Sequence, residues 1–350
     1  MKKRFDVRAL VRPNIASLRA YNAKETPCRV KLDANESPYA WDPEKIAGIC
    51  RAMKSNRYPD PEARELKVLL GRRLGVPPGC ILQGNGSDEL ISYLITAFGG
   101  PVLYPVPTFS MYGIISQALG EKGIAVPLTR EFDIDIEKMI GVVRKGRPGL
   151  IFLSSPNNPT GNCFSAGKIL RLIEASRGIV VVDEAYQPFS SERGFLPLLK
   201  DYRNLVIMRT LSKIGLAALR LGFLIADPEI IGEVNKVRLP FNVNSLSQGI
   251  AAAALRDKKA LNAAITAIIS ERERLLKEMG RVRGVTPFPS EANFILFRVK
   301  APGRVWRGLL RKGVLVRNLN DGIRGCLRVT VGTPAENTAF LRALRQSLNP

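Results

Sequence analysis

The chain has 350 residues, 45% hydrophobic and 24% charged, which is long enough for two lobes around a sizeable core and too apolar for a disordered protein. Its 53 Lys and Arg against 31 Asp and Glu leave a net charge of +22, and it contains no histidine. That absence excludes Ser-His-Asp and Cys-His catalysis and histidine-ligated metals, so acid–base work falls to Lys, Asp, Glu, Tyr or a cofactor.

The cysteines, Cys28, Cys50, Cys80, Cys163 and Cys326, include no C-x-x-C pair. Their odd count and scatter predict reduced thiols, with neither a disulfide framework nor a metal site. Basic residues are spread along the chain without a block or tail. This predicts a solvated basic surface that attracts small anions, and no nucleic-acid partner. Apolar runs such as Ile179 to Val182 are too short to span a bilayer. The opening Met1-Lys2-Lys3-Arg4 is not followed by the apolar stretch of a signal peptide, so a cytoplasmic protein is expected.

In chain order, residues before about Asp42 show little periodicity. Asp88 to Phe98 predicts a helix, with Leu90, Ile91, Leu94, Ile95 and Phe98 at helical spacing. Short apolar runs follow at Leu150–Leu153, Ile179–Val182, Leu205–Met208 and Gly222–Ala226, with a helix over Ala166–Ser176. Such runs alternating with helices predict a buried, mostly parallel sheet covered on both faces. Asn244 to Met279 predicts a long helical stretch broken near Asp257. A smaller α/β lobe follows, with strands at Phe294–Val299 and Cys326–Val331, a helix at Arg304–Lys312 and a last helix opened by Pro334. Residues ahead of Asp42 are expected to pack with this second lobe.

In such sheets chemistry sits beyond the carboxyl ends of the strands. There the chain carries Ser155-Pro156-Asn157-Asn158-Pro159-Thr160-Gly161, then Asp183-Glu184-Ala185-Tyr186, then Thr210-Leu211-Ser212-Lys213 with Arg220 seven residues on. Upstream, Gly84-Asn85-Gly86-Ser87-Asp88-Glu89 leads into the first helix. Taken singly, each has an ordinary explanation as a turn, a helix cap or a surface charge.

Taken together, these motifs resemble the fold-type I aminotransferases, the aspartate aminotransferase superfamily, from about Tyr21 to Val331. The resemblance implies a large, mostly parallel sheet domain over residues 44–256, which binds the cofactor, and a small α/β domain from residues 1–43 and 257–350. It implies pyridoxal 5'-phosphate, carried by Lys213 as a Schiff base in a ping-pong mechanism. Asp183 would pair with the protonated pyridine nitrogen, and Tyr186 and Asn158 would tune the phenolate oxygen. Phe109 would stack on the ring. Gly86, Ser87 and Asp88 would offer a helix N-terminus to the phosphate, with Thr210, Ser212 and Arg220 beside it. The interval from Lys213 to Arg220 is one residue shorter than in many relatives. No metal is implied.

Leu32-Asp33-Ala34-Asn35-Glu36-Ser37-Pro38, Arg57-Tyr58-Pro59-Asp60-Pro61 and Gly325-Cys326-Leu327-Arg328-Val329-Thr330-Val331-Gly332 narrow the likeness. With Gly86-Ser87-Asp88-Glu89 they resemble the histidinol-phosphate aminotransferases, which exchange an amino group between histidinol phosphate and 2-oxoglutarate. This implies small anionic substrates and a homodimer with shared active sites, in which Tyr58 reaches the neighbouring subunit's cofactor phosphate. Arg328 would bind the substrate's anionic group and Arg317 its phosphate, with Tyr21, Asn35 and Asn158 as further substrate contacts. Threonine-phosphate decarboxylase and an aromatic amino-acid aminotransferase are rivals of the same fold. An aminotransferase-like DNA-binding regulator is a distant third, because the chain ahead of Asn35 is too short for a helix-turn-helix.

Overall fold

The structure, a computed structural model, describes residues 5–20 and 26–348; Tyr21 lies outside the described residues. Two sheets organise it. The larger contains β2 (Ile81–Gly84), β3 (Val102–Val106), β4 (Gly123–Pro127), β5 (Leu150–Ser154), β6 (Ile179–Asp183), β7 (Leu205–Thr210) and β8 (Gly222–Ala226), in the order β2-β8-β7-β6-β5-β3-β4. The smaller contains β1 (Val30–Leu32), β9 (Val285–Pro287), β10 (Phe294–Val299), β11 (Val314–Asn318) and β12 (Cys326–Thr330), in the order β1-β11-β12-β10-β9.

Strand β6 shows why the large sheet is buried on both faces. Ile179 and Val181 enter one apolar cluster, whereas Val180 and Val182 enter another. Strand β7 repeats the division, with Leu205 and Ile207 on one side and Val206 and Met208 on the other. Period-two alternation between two apolar layers leaves no polar face, so the sequence reads as an unbroken run. Strand β8 runs antiparallel to both β7 and β2. The link over residues 211–221 contains only short 3-10 turns and no crossover helix, so the chain returns in the reverse direction.

The predicted helix at Asp88 begins one residue earlier and spans Ser87–Phe98. The expected break in the long helical stretch falls at Asp257, between helices Ser245–Arg256 and Lys258–Gly280. Asp257 accepts from Ala260 N and so caps the second helix. In the small sheet, β1 pairs in parallel with β11, which joins the early chain to the C-terminal lobe. Several elements escaped the pattern reading, including β1, β2, β3, β4 and β11 and the helices Met111–Leu119 and Ile136–Gly146.

Candidate active site

Strands β5, β6 and β7 end side by side, with Ser154 opposite Asp183 and Asp183 opposite Met208. Their loops therefore bring Asn157–Asn158, Asp183–Tyr186 and Thr210–Lys213 to one edge of the sheet. Adjacent asparagines divide the work of the first loop. Asn157 is fully buried and donates from Nδ2 to Pro107 O (3.0 Å) and Thr160 Oγ1 (2.7 Å), while Thr108 Oγ1 donates to its Oδ1 (2.7 Å). It thereby ties the loop to the segment carrying Phe109. Asn158 turns the other way, and its Oδ1 accepts from Arg328 Nη1 at 2.5 Å. With that oxygen engaged, its amide N–H groups remain as donors.

Asp183 ends β6 and is 4% exposed. Its Oδ2 accepts from Tyr112 Oη at 2.7 Å and its Oδ1 from Ala185 N at 3.1 Å. Burial raises its carboxyl from the usual range to about 6, against the opposing pull of these hydrogen bonds and of Lys213. Tyr186 is also buried, and its hydroxyl accepts from Asn35 Nδ2 at 2.9 Å. Lys213 Nζ lies 5.8 Å from the centre of the Tyr186 ring.

Asn35 is 1% exposed and adopts φ 56°. Its backbone N donates to Thr330 Oγ1, and its carbonyl accepts from Asn293 Nδ2. The structure thus puts Asn35 behind Tyr186, as a link from the small sheet. Thr210 also stands behind the site. Its hydroxyl donates to Leu221 O at 2.8 Å and accepts from Ser212 N, which fixes Ser212 and leaves its own oxygen occupied.

An anion cradle forms beside this edge. Gly86, at φ 87°, precedes helix Ser87–Phe98 and brings no side chain to cap its first turn, so the amide donors there are open to an anion. A Cβ on Gly86 would lie 2.5 Å from Arg220 Nη2. Arg220 itself takes φ 51°, and Asp88 Oδ2 is 3.6 Å from its Nη2. The short Lys213–Arg220 interval, wound as two 3-10 turns, still delivers the guanidinium to the cradle.

Across the site, Arg328 is buried on β12, donates to Asn158 and Asp33 O, and sits 5.1 Å over the Phe294 ring. Arg317 on β11 is its direct cross-strand partner and is exposed. Phe109 is half-buried. Tyr58 is 81% exposed and stacked on Phe241, with ring centroids 4.5 Å apart. Sequence reasoning missed Tyr112, whose place inside a helix without strong polar periodicity gave no signal.

Residues 25–344 match the family model for aminotransferase class I and II. The chain is 45% identical over 350 residues to a histidinol-phosphate aminotransferase of Aquifex aeolicus, covering 97% of this chain and 98% of that protein. It is 44% identical over 347 residues to histidinol-phosphate aminotransferase 2 of Nitrosococcus oceani, covering 96% of each. Among solved structures, histidinol-phosphate aminotransferase from Sinorhizobium meliloti in complex with pyridoxal-5'-phosphate matches with a TM-score of 0.86 at 25% identity, over 99% of this chain and 98% of that one. The chain belongs to the class I and II aminotransferases, and its likeness to the histidinol-phosphate aminotransferases runs through nearly its whole length.

Proposed function

We propose that this protein transfers an amino group between histidinol phosphate and 2-oxoglutarate, giving imidazole-acetol phosphate and glutamate, with pyridoxal 5'-phosphate as cofactor. The observation that carries the substrate assignment is the direct opposition of Arg317 and Arg328 on β11 and β12. Two guanidinium groups at facing positions suit an anionic substrate. Histidinol phosphate carries a phosphate and an amine but no α-carboxylate; glutamate carries an α-carboxylate but no phosphate. A planar guanidinium donates to either group in bidentate fashion, so Arg328 can serve both substrates.

The residues present suit the cofactor. Asp183 is a buried carboxylate whose oxygens take only neutral donors, Tyr112 Oη and Ala185 N, in the hydrogen bonds described. A cationic ring N–H is the partner that burial calls for. Gly86 keeps clear the space between the helix N-terminus and Arg220 that a Cβ would fill. When bound, the group supplies an electron-withdrawing ring that stabilises negative charge on the substrate carbon next to nitrogen. Lys213 supplies the amine that holds it, and that amine can move a proton at the reacting carbon. Tyr186, its hydroxyl already accepting from Asn35, is left to donate with its own proton. Asn158 donates from Nδ2, and Ser212 and Arg220 add to the cradle.

We assign residues 44–256 to the cofactor-binding domain and residues 1–43 and 257–350 to the small one. We place the protein in the cytoplasm as a homodimer. Exposed Tyr58 and Phe241 with Leu239 and Met53 support an apolar subunit contact, through which Tyr58 would reach the partner's cradle. No helix among the described residues is long and apolar enough to cross a membrane.

Steady-state kinetics of two variants test the substrate assignment. Arg328→Lys is expected to lower kcat/KM for both substrates, roughly 10- to 150-fold each if a charge-assisted bond of ~1.5–3 kcal/mol is lost. Arg317→Ala is expected to harm histidinol phosphate far more than glutamate. Equal loss for both substrates in Arg317→Ala would remove the phosphate-specific role.

A further inference from the structure

Tyr112 is fully buried in helix Met111–Leu119, and its side chain touches two of the groups assigned to the cofactor ring. Its hydroxyl donates to Asp183 Oδ2 at 2.7 Å. Its ring meets Phe109 edge-to-face, with centroids 5.6 Å apart and an interplanar angle of 86°. The other side of the Tyr112 ring is stacked on Phe152, at 4.8 Å and 13°, which fixes the phenol against the core of β5. We propose that Tyr112 is a positioning residue for the transamination, holding Asp183 as the carboxylate opposite the cofactor's ring nitrogen and setting the Phe109 ring against the cofactor face. The inference rests on the proposed function and deepens it.

The chemistry follows from who can donate. Asp183 is almost wholly buried, so its negative charge depends on local donors. The charged groups facing it are Lys213, from the turn after β7, which favours the anion, and Asp88, from the first turn of helix Ser87–Phe98, which opposes it. Tyr186 flanks the pair from the loop after β6. Burial and the Asp183 charge hold the Tyr112 phenol well above its ordinary range, so it stays protonated and acts only as a donor toward the carboxylate. Without that donor the carboxylate becomes more basic. Asp183 would then hold more of a proton shared with a bound ring nitrogen, and the bound group would supply a weaker electron sink. Tyr112→Phe removes one oxygen and keeps both aromatic contacts.

The test uses two substitutions with opposite expected signs. In apoprotein carrying 13C-labelled aspartate, the Asp183 carboxyl midpoint is read by NMR. Tyr112→Phe is expected to raise its proton affinity roughly 10- to 150-fold, the range for a hydrogen bond to a charged group. Replacing Tyr112 by 3,5-difluorotyrosine, a stronger donor of nearly the same shape, is expected to lower it. Reconstitution with 15N-labelled pyridoxal phosphate then reads the ring nitrogen, which should move toward neutral pyridine in Tyr112→Phe, with kcat falling more than KM rises. An unmoved Asp183 midpoint, or a shift of the same sign in both variants, would overturn the proposal, as would a ring nitrogen that ignores a shifted Asp183. The apoprotein titration does not involve the cofactor, so its outcome is separate from that of the cofactor assignment.

Discussion

Asp183 is a burden to the apoprotein and an asset once a cation lies beside it. Its carboxyl protonates near 3.8 when exposed to water but at about 6 in the fold, because burial disfavours the charge. Between those values the folded state binds more protons than the unfolded chain, so the contribution of Asp183 to stability falls as pH rises from about 4 to 6. The fall amounts to about 3 kcal/mol at 1.36 kcal/mol per pH unit. Asp60, Asp133, Asp227 and Asp257 have lowered values and act in the opposite sense, losing stability as pH falls through their range. The signal therefore lies in a difference. The apoprotein melting temperature, compared with that of Asp183→Asn, is expected to decline relative to the variant across pH 4 to 7. A constant difference would show that Asp183 does not titrate there. Of the candidate site, the sequence singled out Asp183, Lys213, Asn158 and Tyr186 because they follow apolar runs at the strand ends. It could not show that Asn35 lies behind Tyr186 or that Thr210 supports Ser212, because those contacts join segments far apart in the chain or depend on rotamers.

At the scale of elements, the strand ends are held in line by a buried pair as well as by the ladder. Glu184, just beyond β6, has a fully buried side chain; its Oε2 pairs with Arg209 on β7, and its Oε1 accepts from Phe195 N. The loop after β6, including Tyr186, is thereby anchored to β7 and to residue 195. Removing one partner of a buried pair strands the other, so Arg209→Met is expected to destabilise the protein by about 3–5 kcal/mol in urea unfolding. The double variant Arg209→Met with Glu184→Gln should recover much of that loss. A single variant as stable as the parent would mean that Glu184 finds another donor. The central strands were legible because both faces of β5, β6 and β7 are apolar. Strand β4 was not: its exposure pattern alternates at the sheet edge, and Pro127 interrupts the run. The helix Ile136–Gly146 carries so many charges that its apolar stripe was hard to separate from loop sequence.

At the scale of the whole molecule, two sheets meet along a seam that contains the candidate site. Arg328 and Asn35 approach it from the small-sheet side, and Asp183, Tyr186 and Lys213 from the large. The pairing of β1 with β11 gives the early chain its place in this seam, a long-range contact that no local pattern announces. Tyr58 is the exception, exposed and stacked on Phe241, where the proposed homodimer would use it. Mixing inactive Lys213→Ala with an impaired Tyr58→Ala variant is expected to restore some activity, because one site in each heterodimer regains both native residues. No recovery despite demonstrated subunit exchange would confine the site to one chain. The central claim is tested most directly by a coupled assay of the purified protein with pyridoxal phosphate, histidinol phosphate and 2-oxoglutarate, set beside phenylalanine and threonine phosphate as alternative substrates. The account predicts stoichiometric glutamate and imidazole-acetol phosphate, with histidinol phosphate preferred and no carbon dioxide released; a preference for phenylalanine, or carbon dioxide from threonine phosphate, would contradict it.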